Sequence, residues 1–156
     1  MRSFFEEEYK KHEKALFLVA LSYLHNSEDA RDVLQEAAIA AYSSLDKLRQ
    51  PEYFKTWLTR IVINKSKNFL RSKHCTEELS DNLNVLCTVP DEEIEIMDAV
   101  CRMERESSVY ISLRFYNDMN YEEVAKALHQ PVSTVKYRTA RALRELKTLL
   151  EGDVSE

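Results

Sequence analysis

One glycine, Gly152, and three prolines are all that this 156-residue chain offers for sharp turns. Tight hairpins and phosphate-cradling loops both depend on positive φ, which glycine supplies at least cost. An all-helical chain is therefore expected. Neither G-x-G-x-x-G nor a P-loop can be written in the sequence, so enzymes that hold nucleotides by those loops are excluded. Cysteine is scarce too: Cys75, Cys87 and Cys101 form an odd set without C-x-x-C spacing, as expected where thiols stay reduced. His74 and Cys75 make half a metal site, but no second pair lies at ligand spacing, so neither a metal nor another cofactor is expected. No apolar run approaches the roughly 20 residues of a bilayer span. The start, "MRSFFEEEYKKHEKALF", lacks the basic-then-apolar layout of a signal peptide, so the expectation is a cytosolic chain without membrane insertion.

What is present is the mixture of a folded protein, 44% apolar and 31% charged, long enough for one sizeable core or two small ones. The net charge of −5 conceals a segregation. Residues 1–75 carry 13 Lys/Arg against 10 Asp/Glu, and residues 111–156 carry 7 against 7. Between them, residues 76–110 hold 2 against 10. The pattern predicts two small helical domains, 1–75 and 91–152, joined by an acidic linker over 76–90. A merely solvated tether would have the same composition.

Three helices are expected in the first unit. One runs from about Phe4 to Leu24, a second starts after the cap candidates Asn26 and Ser27 and fades near Leu48, and a third opens at Pro51. In the second unit, Pro90-Asp91 opens a helix through about Glu106, another continues to Tyr116, and Asn117-Asp118 turns the chain. Asn120 with Glu123 three residues on predicts a capping box at the start of "YEEVAKAL".

That short helix, the turn "HQPV" ended by Pro131, and a longer helix capped by Ser133 follow the order of a helix-turn-helix. On the longer helix Val135, Ala142, Leu146 and Leu149 share a face to bury. Thr134, Tyr137, Arg138 and Arg141 share another in its first two turns, with Lys136 beside them, and Arg suits guanine edges and phosphates. A surface helix with its cations near the C-terminal end of the macrodipole would look similar for Arg144 and Lys147. Arg138 and Arg141 come too early for that account, and duplex DNA is the expected partner.

Within "DARDVLQEAAIAAYSSL", Ala30, Leu34, Ala37, Ala41 and Leu45 predict a buried stripe. Asp29, Asp32 and Glu36 share a separate face with Val33 as an apolar edge, a patch able to dock a basic partner. An acid-rich first turn placed for dipole reasons would read the same way. In the third helix Phe54, Trp57, Leu58 and Ile61 point to a core, and beside Trp57 run Arg60, Asn64, Lys67 and Arg71. Cations, an amide and an aromatic edge on one surface suit single-stranded nucleic acid, by phosphate neutralisation and base stacking. Burial of Trp57 is the plainer expectation.

Together "DARDVLQEAAIAAYSSL", "FKTWLTRIVINKSKNFLR" and "LRFYNDMNYEEVAKALHQPVSTVKYRTARALREL" resemble bacterial RNA polymerase sigma factors of the extracytoplasmic-function (ECF) type, over nearly the whole chain. The resemblance implies a non-enzymatic subunit, without small-molecule substrate or catalytic residues, that brings core RNA polymerase to promoter DNA and helps open it. The first unit would then be sigma region 2, meeting the polymerase clamp and the melted minus-ten element, and the last sigma region 4, meeting the minus-thirty-five element. Asp29, Asp32, Gln35 and Glu36 match the family's polymerase-contact motif, and Asn64 and Asn68 match polar positions near its flipped-base pocket. An anti-sigma factor is the further partner implied. The chain departs from the family where Met103-Glu104 replaces Leu-Pro, where His129-Gln130 replaces Gly or Asn and an aliphatic residue, and at Tyr137, where a small polar residue is common. Two rivals remain at this point: a dimeric helix-turn-helix regulator acting on operators, and a sigma-like adaptor without promoter activity.

Overall fold

The computed structural model describes residues 2–76 and 94–154; the expected linker beyond Thr76, which ends α3, and the helix start at Pro90-Asp91 lie outside them. Among the described residues all regular structure is helical: α1 (Arg2–Leu24), α2 (Ser27–Ser43), α3 (Phe54–Thr76), α4 (Ile94–Arg102), α5 (Arg105–Ile111), α6 (Tyr121–Leu128) and α7 (Val132–Val154). Short 3-10 turns at Leu45–Lys47 and Pro51–Tyr53 join α2 to α3, and a π-turn over Ser112–Tyr116 extends α5.

The helix boundaries follow local chemistry. The Asn26 side chain accepts the Asp29 N–H at 3.0 Å and so caps α2, leaving Ser27 as its first residue. A single helix from Pro90 to Glu106 is not what forms: α4 stops at Arg102, and Glu104, in an extended conformation, starts α5. The break falls at Met103-Glu104 even without the Leu-Pro expected there.

α1, α2 and α3 pack as a three-helix bundle. The stripe of Ala30, Leu34, Ala37, Ala41 and Leu45 is buried as expected, against Leu16, Val19 and Leu58 in the same core. An aromatic group closes one end, where the Phe54 ring meets Phe4 and Phe5 edge-on at 5.7 and 5.6 Å. In the second unit α5 lies against α7, and α6 against α7, with Val135 and Ala142 fully buried and Leu146 and Leu149 packed on that core.

The two units are not separate bodies. Ser107 to Leu113 are buried without interruption, and so are Leu18 to Leu24 in α1. A helix buried all round needs a neighbour on both sides. α5 therefore takes α7 on one side and the end of α1 on the other, and one hydrophobic core runs from Leu16 through Leu21 to Ile111, Leu113 and Val135.

Candidate nucleic-acid and partner interfaces

The helix-turn-helix is built by its caps. The Asn120 side chain accepts the Glu123 N–H at 2.8 Å while Glu123 Oε1 accepts the Asn120 N–H at 3.1 Å, the reciprocal capping box that the spacing predicts. α6 ends at His129, whose backbone is left-handed at φ 56° and ψ 48°. That conformation favours glycine or asparagine, which explains why those residues suit this position. Gln130 N–H then closes on the Ala125 carbonyl at 2.9 Å, and α7 begins at Val132. Ser133 thus lies inside the first turn rather than at the cap, with its side chain exposed.

In the first turns of α7, Ser133, Lys136, Tyr137 and Arg141 are exposed, with Thr134 half-buried among them. Tyr137, at 64% exposure, is the most prominent aromatic of this surface. Lys136 Nζ sits 5.9 Å from the Tyr121 ring, and the Arg114 guanidinium lies 5.0 Å from the same ring. Arg138 departs from the expected position. Its guanidinium turns toward α5, 2.7 Å from the Glu106 carboxylate, and donates to the Tyr110 hydroxyl at 3.3 Å. The Tyr110 hydroxyl in turn donates to the Gln130 side chain. A short relay thus ties α7 and the turn to α5, and these partners hold the Arg138 guanidinium well in its charged form. The sequence places Arg138 on the reading face because helical spacing records angle alone. It contains no sign that Glu106, 32 positions earlier, faces it.

On α3, Arg60, Asn64, Asn68 and Arg71 are exposed along one flank and Lys67 is half-buried beside them. Trp57 is neither a free stacking platform nor a core residue: it is half-buried, its ring 6.0 Å from Phe54 and tilted against it. On α2, Asp32, Gln35 and Glu36 are exposed and Asp29 is half-buried. Val33 is 1% exposed and belongs to the core, which corrects its assignment to the patch. The apolar edge is supplied instead by Ile39, 64% exposed, one turn beyond Gln35 and Glu36 and two turns beyond Asp32.

Between the units lies a groove of about 510 Å³, lined by Tyr23, Leu70 and Val109 together with Lys67, Arg71, Arg105 and Glu106. Among the described residues no group of His, Cys, Asp or Glu could hold a metal ion, and no helix is long and apolar enough to cross a membrane.

Comparison with known proteins decides the family. The sigma-70 region 2 model matches residues 9–75, and the sigma-70 region 4 model matches residues 93–146. The chain belongs to the sigma-70 family. It is an RNA polymerase sigma factor of the ECF type, a transcription initiation factor whose family binds core RNA polymerase and promoter DNA. It is 29% identical over 143 residues to the RNA polymerase sigma factor SigV of Bacillus subtilis (strain 168), covering 89% of this chain and 86% of that protein. To the ECF RNA polymerase sigma-E factor of Escherichia coli (strain K12) it is 29% identical over 163 residues, covering 85% of each. The fold of this sigma factor superposes on RpoE from Bartonella quintana, solved with the anti-sigma factor NepR, with a TM-score of 0.78 over 94% of this chain and 96% of that one at 22% identity. It also superposes on CnrH, solved with the cytosolic domain of CnrY, with a TM-score of 0.67 over 96% and 88% at 27% identity. The comparisons give no support to a dimeric operator-binding regulator.

Proposed function

We propose that three surfaces of this sigma factor divide its work. The α2 face of Asp32, Gln35, Glu36 and Ile39, with Asp29 at its edge, docks the polymerase clamp. The α3 flank of Arg60, Asn64, Lys67, Asn68 and Arg71, with the edge of Trp57, takes the melted minus-ten strand. The α7 face of Ser133, Thr134, Lys136, Tyr137 and Arg141 reads the minus-thirty-five element. The domains divide as 1–75, 76–90 and 91–152. The chain works as a polymerase subunit in the cytoplasm, without an active site of its own, and assists promoter opening through α3.

The observation that carries this reading is the segregation of the surfaces. Acid with one exposed aliphatic residue lies on α2, while cations with amides or hydroxyls lie on α3 and α7. Such opposite chemistries suit a protein partner on one side and nucleic acid on the other. An anti-sigma factor is the natural inhibitor, as NepR and the cytosolic domain of CnrY are bound to the similar proteins RpoE and CnrH. The groove between the units, lined by apolar and charged side chains, offers it a seat.

The test is affinity for core polymerase. Asp32→Arg and Ile39→Arg each change a residue that supports no part of the core, so both should weaken core binding tenfold or more at unchanged thermal stability. Val33→Ala, by contrast, should lower stability without specifically changing that affinity. Wild-type affinity in Asp32→Arg and Ile39→Arg would refute the assignment of α2.

A further inference from the structure

The groove between the units holds polar groups that the described chain does not answer. Lys67, Arg71 and Arg105 line it, and none of the three side chains has an ion-pair or hydrogen-bond partner among the described residues. Glu106, the carboxylate that lines the groove among the described residues, is already taken by Arg138 at 2.7 Å. The Tyr23 hydroxyl is a further open group. Tyr23 is 6% exposed, yet its hydroxyl meets no donor or acceptor of the described residues. Burial pushes its pKa upward, so it stays a neutral O–H able to donate. A buried hydroxyl left without a partner is costly, and one that lines a groove points to a polar atom supplied from outside the chain.

The rest of the lining says what such a molecule carries besides charge. The Tyr110 hydroxyl gives its proton to Gln130 and accepts from Arg138, which leaves little to read the polar edges of a nucleobase. What remains is aliphatic: Leu70 of α3, Val109 of α5 and Leu128 of α6. The volume of about 510 Å³ falls within the roughly 300 to 1,000 Å³ of small-molecule sites. Unpaired cations and a neutral donor select an anion, and guanidinium groups suit the planar carboxylate. Aliphatic side chains select an alkyl body that removes them from water.

We propose that this groove binds a single-chain aliphatic carboxylate, a fatty acid, its head drawn to the cations and the Tyr23 hydroxyl and its chain laid against Leu70, Val109 and Leu128. Lys67 and Arg71 also belong to the α3 flank assigned above to the melted strand. A bound carboxylate sets negative charge against them and competes with that strand, a consequence that rests on the sigma-factor reading. An anti-sigma factor seated in the groove competes with the same ligand.

The experiment is equilibrium dialysis of the full chain against sodium decanoate, kept below its micelle concentration. Decanoate should be retained at one molecule per chain, while acetate, which lacks the chain, and decanol, which lacks the charge, should bind at least about tenfold more weakly. Arg105→Glu, at an exposed position, should weaken decanoate binding roughly tenfold, and Tyr23→Phe about threefold. Lys126→Glu makes the same change in net charge at an exposed position of α6 outside the groove, and should bind as the wild type does. Absent binding, decanol retained as tightly as decanoate, or equal losses in Arg105→Glu and Lys126→Glu would overturn the site. Incubating the chain with decanoate before core polymerase is added should lower promoter-directed run-off severalfold for the wild type and leave Arg105→Glu unaffected. Run-off unchanged by bound decanoate would overturn the competition. Were the wild type without decanoate to give no run-off, the sigma-factor reading would fail while dialysis still decided the site.

Discussion

Arg138 and Arg141 look equivalent in the sequence, one turn of helix apart on a cation-rich face, and the structure gives them different work. Arg141 is exposed on the face proposed to read the upstream element, whereas Arg138 is folded onto Glu106 and Tyr110. Replacing Arg141 by alanine should cost on the order of 1 to 3 kcal/mol of discrimination between intact and mutated upstream elements. Arg138→Ala should weaken binding to both elements alike, because what it loses is the tie that sets the angle of α7. Binding to a panel of upstream sequences separates the two, and loss of discrimination in Arg138→Ala with none in Arg141→Ala would reverse the assignment. The same lesson applies on α2. Val33 and Ile39 are both aliphatic neighbours of the acids, and one is core while the other is surface. Both cases escaped sequence reading for the same reason: periodicity gives the direction of a side chain around its own helix, and neither charge nor hydropathy says which neighbouring element is there to meet it.

At the scale of the element, what could be read was what depends on local chemistry. The capping box of α6, the buried stripe of α2 and the core face of α7 follow from residues within a few turns of each other, and all three are present. What could not be read was the second neighbour of α1 and α5. The segments "LVALSYL" and "SSVYISL" hold apolar and small residues on every side, a pattern that asks for burial all round and so carries the signal in retrospect. His25 sits at this junction, left-handed at φ 51°, and burial together with Arg105 of α5 pushes its imidazole down to about 4, only partly offset by the Ser22 carbonyl. An unfolded histidine titrates near 6.5. Between those values the unfolded chain takes up a proton that the folded chain refuses, so stability is complete above about pH 6.5 and falls as the pH drops toward 4. Wild type should lose about 1 kcal/mol more than His25→Asn between pH 7 and pH 5 in urea midpoints, after allowance for partial exposure. Asparagine tolerates the left-handed backbone, which keeps that comparison clean. Parallel pH curves for the two proteins would mean that His25 is not buried neutral.

The whole molecule joins an acid-rich face on α2, cation-bearing faces on α3 and α7 and a buried contact between its two units in one chain with a net charge of −5. That balance fits a subunit that holds promoter DNA weakly alone, since affinity scales with the phosphates neutralised, and gains its grip within the holoenzyme. The most direct test is run-off transcription with core polymerase on paired templates, one fully duplex and one already opened over the minus-ten element. With the chain, the duplex template should give a discrete promoter-directed transcript that core alone does not make. Replacing Asn64, Asn68 and Arg71 together by alanine should abolish that transcript on the duplex and spare much of it on the opened template. No added transcript with the wild-type chain, or equal loss on both templates, would contradict the account.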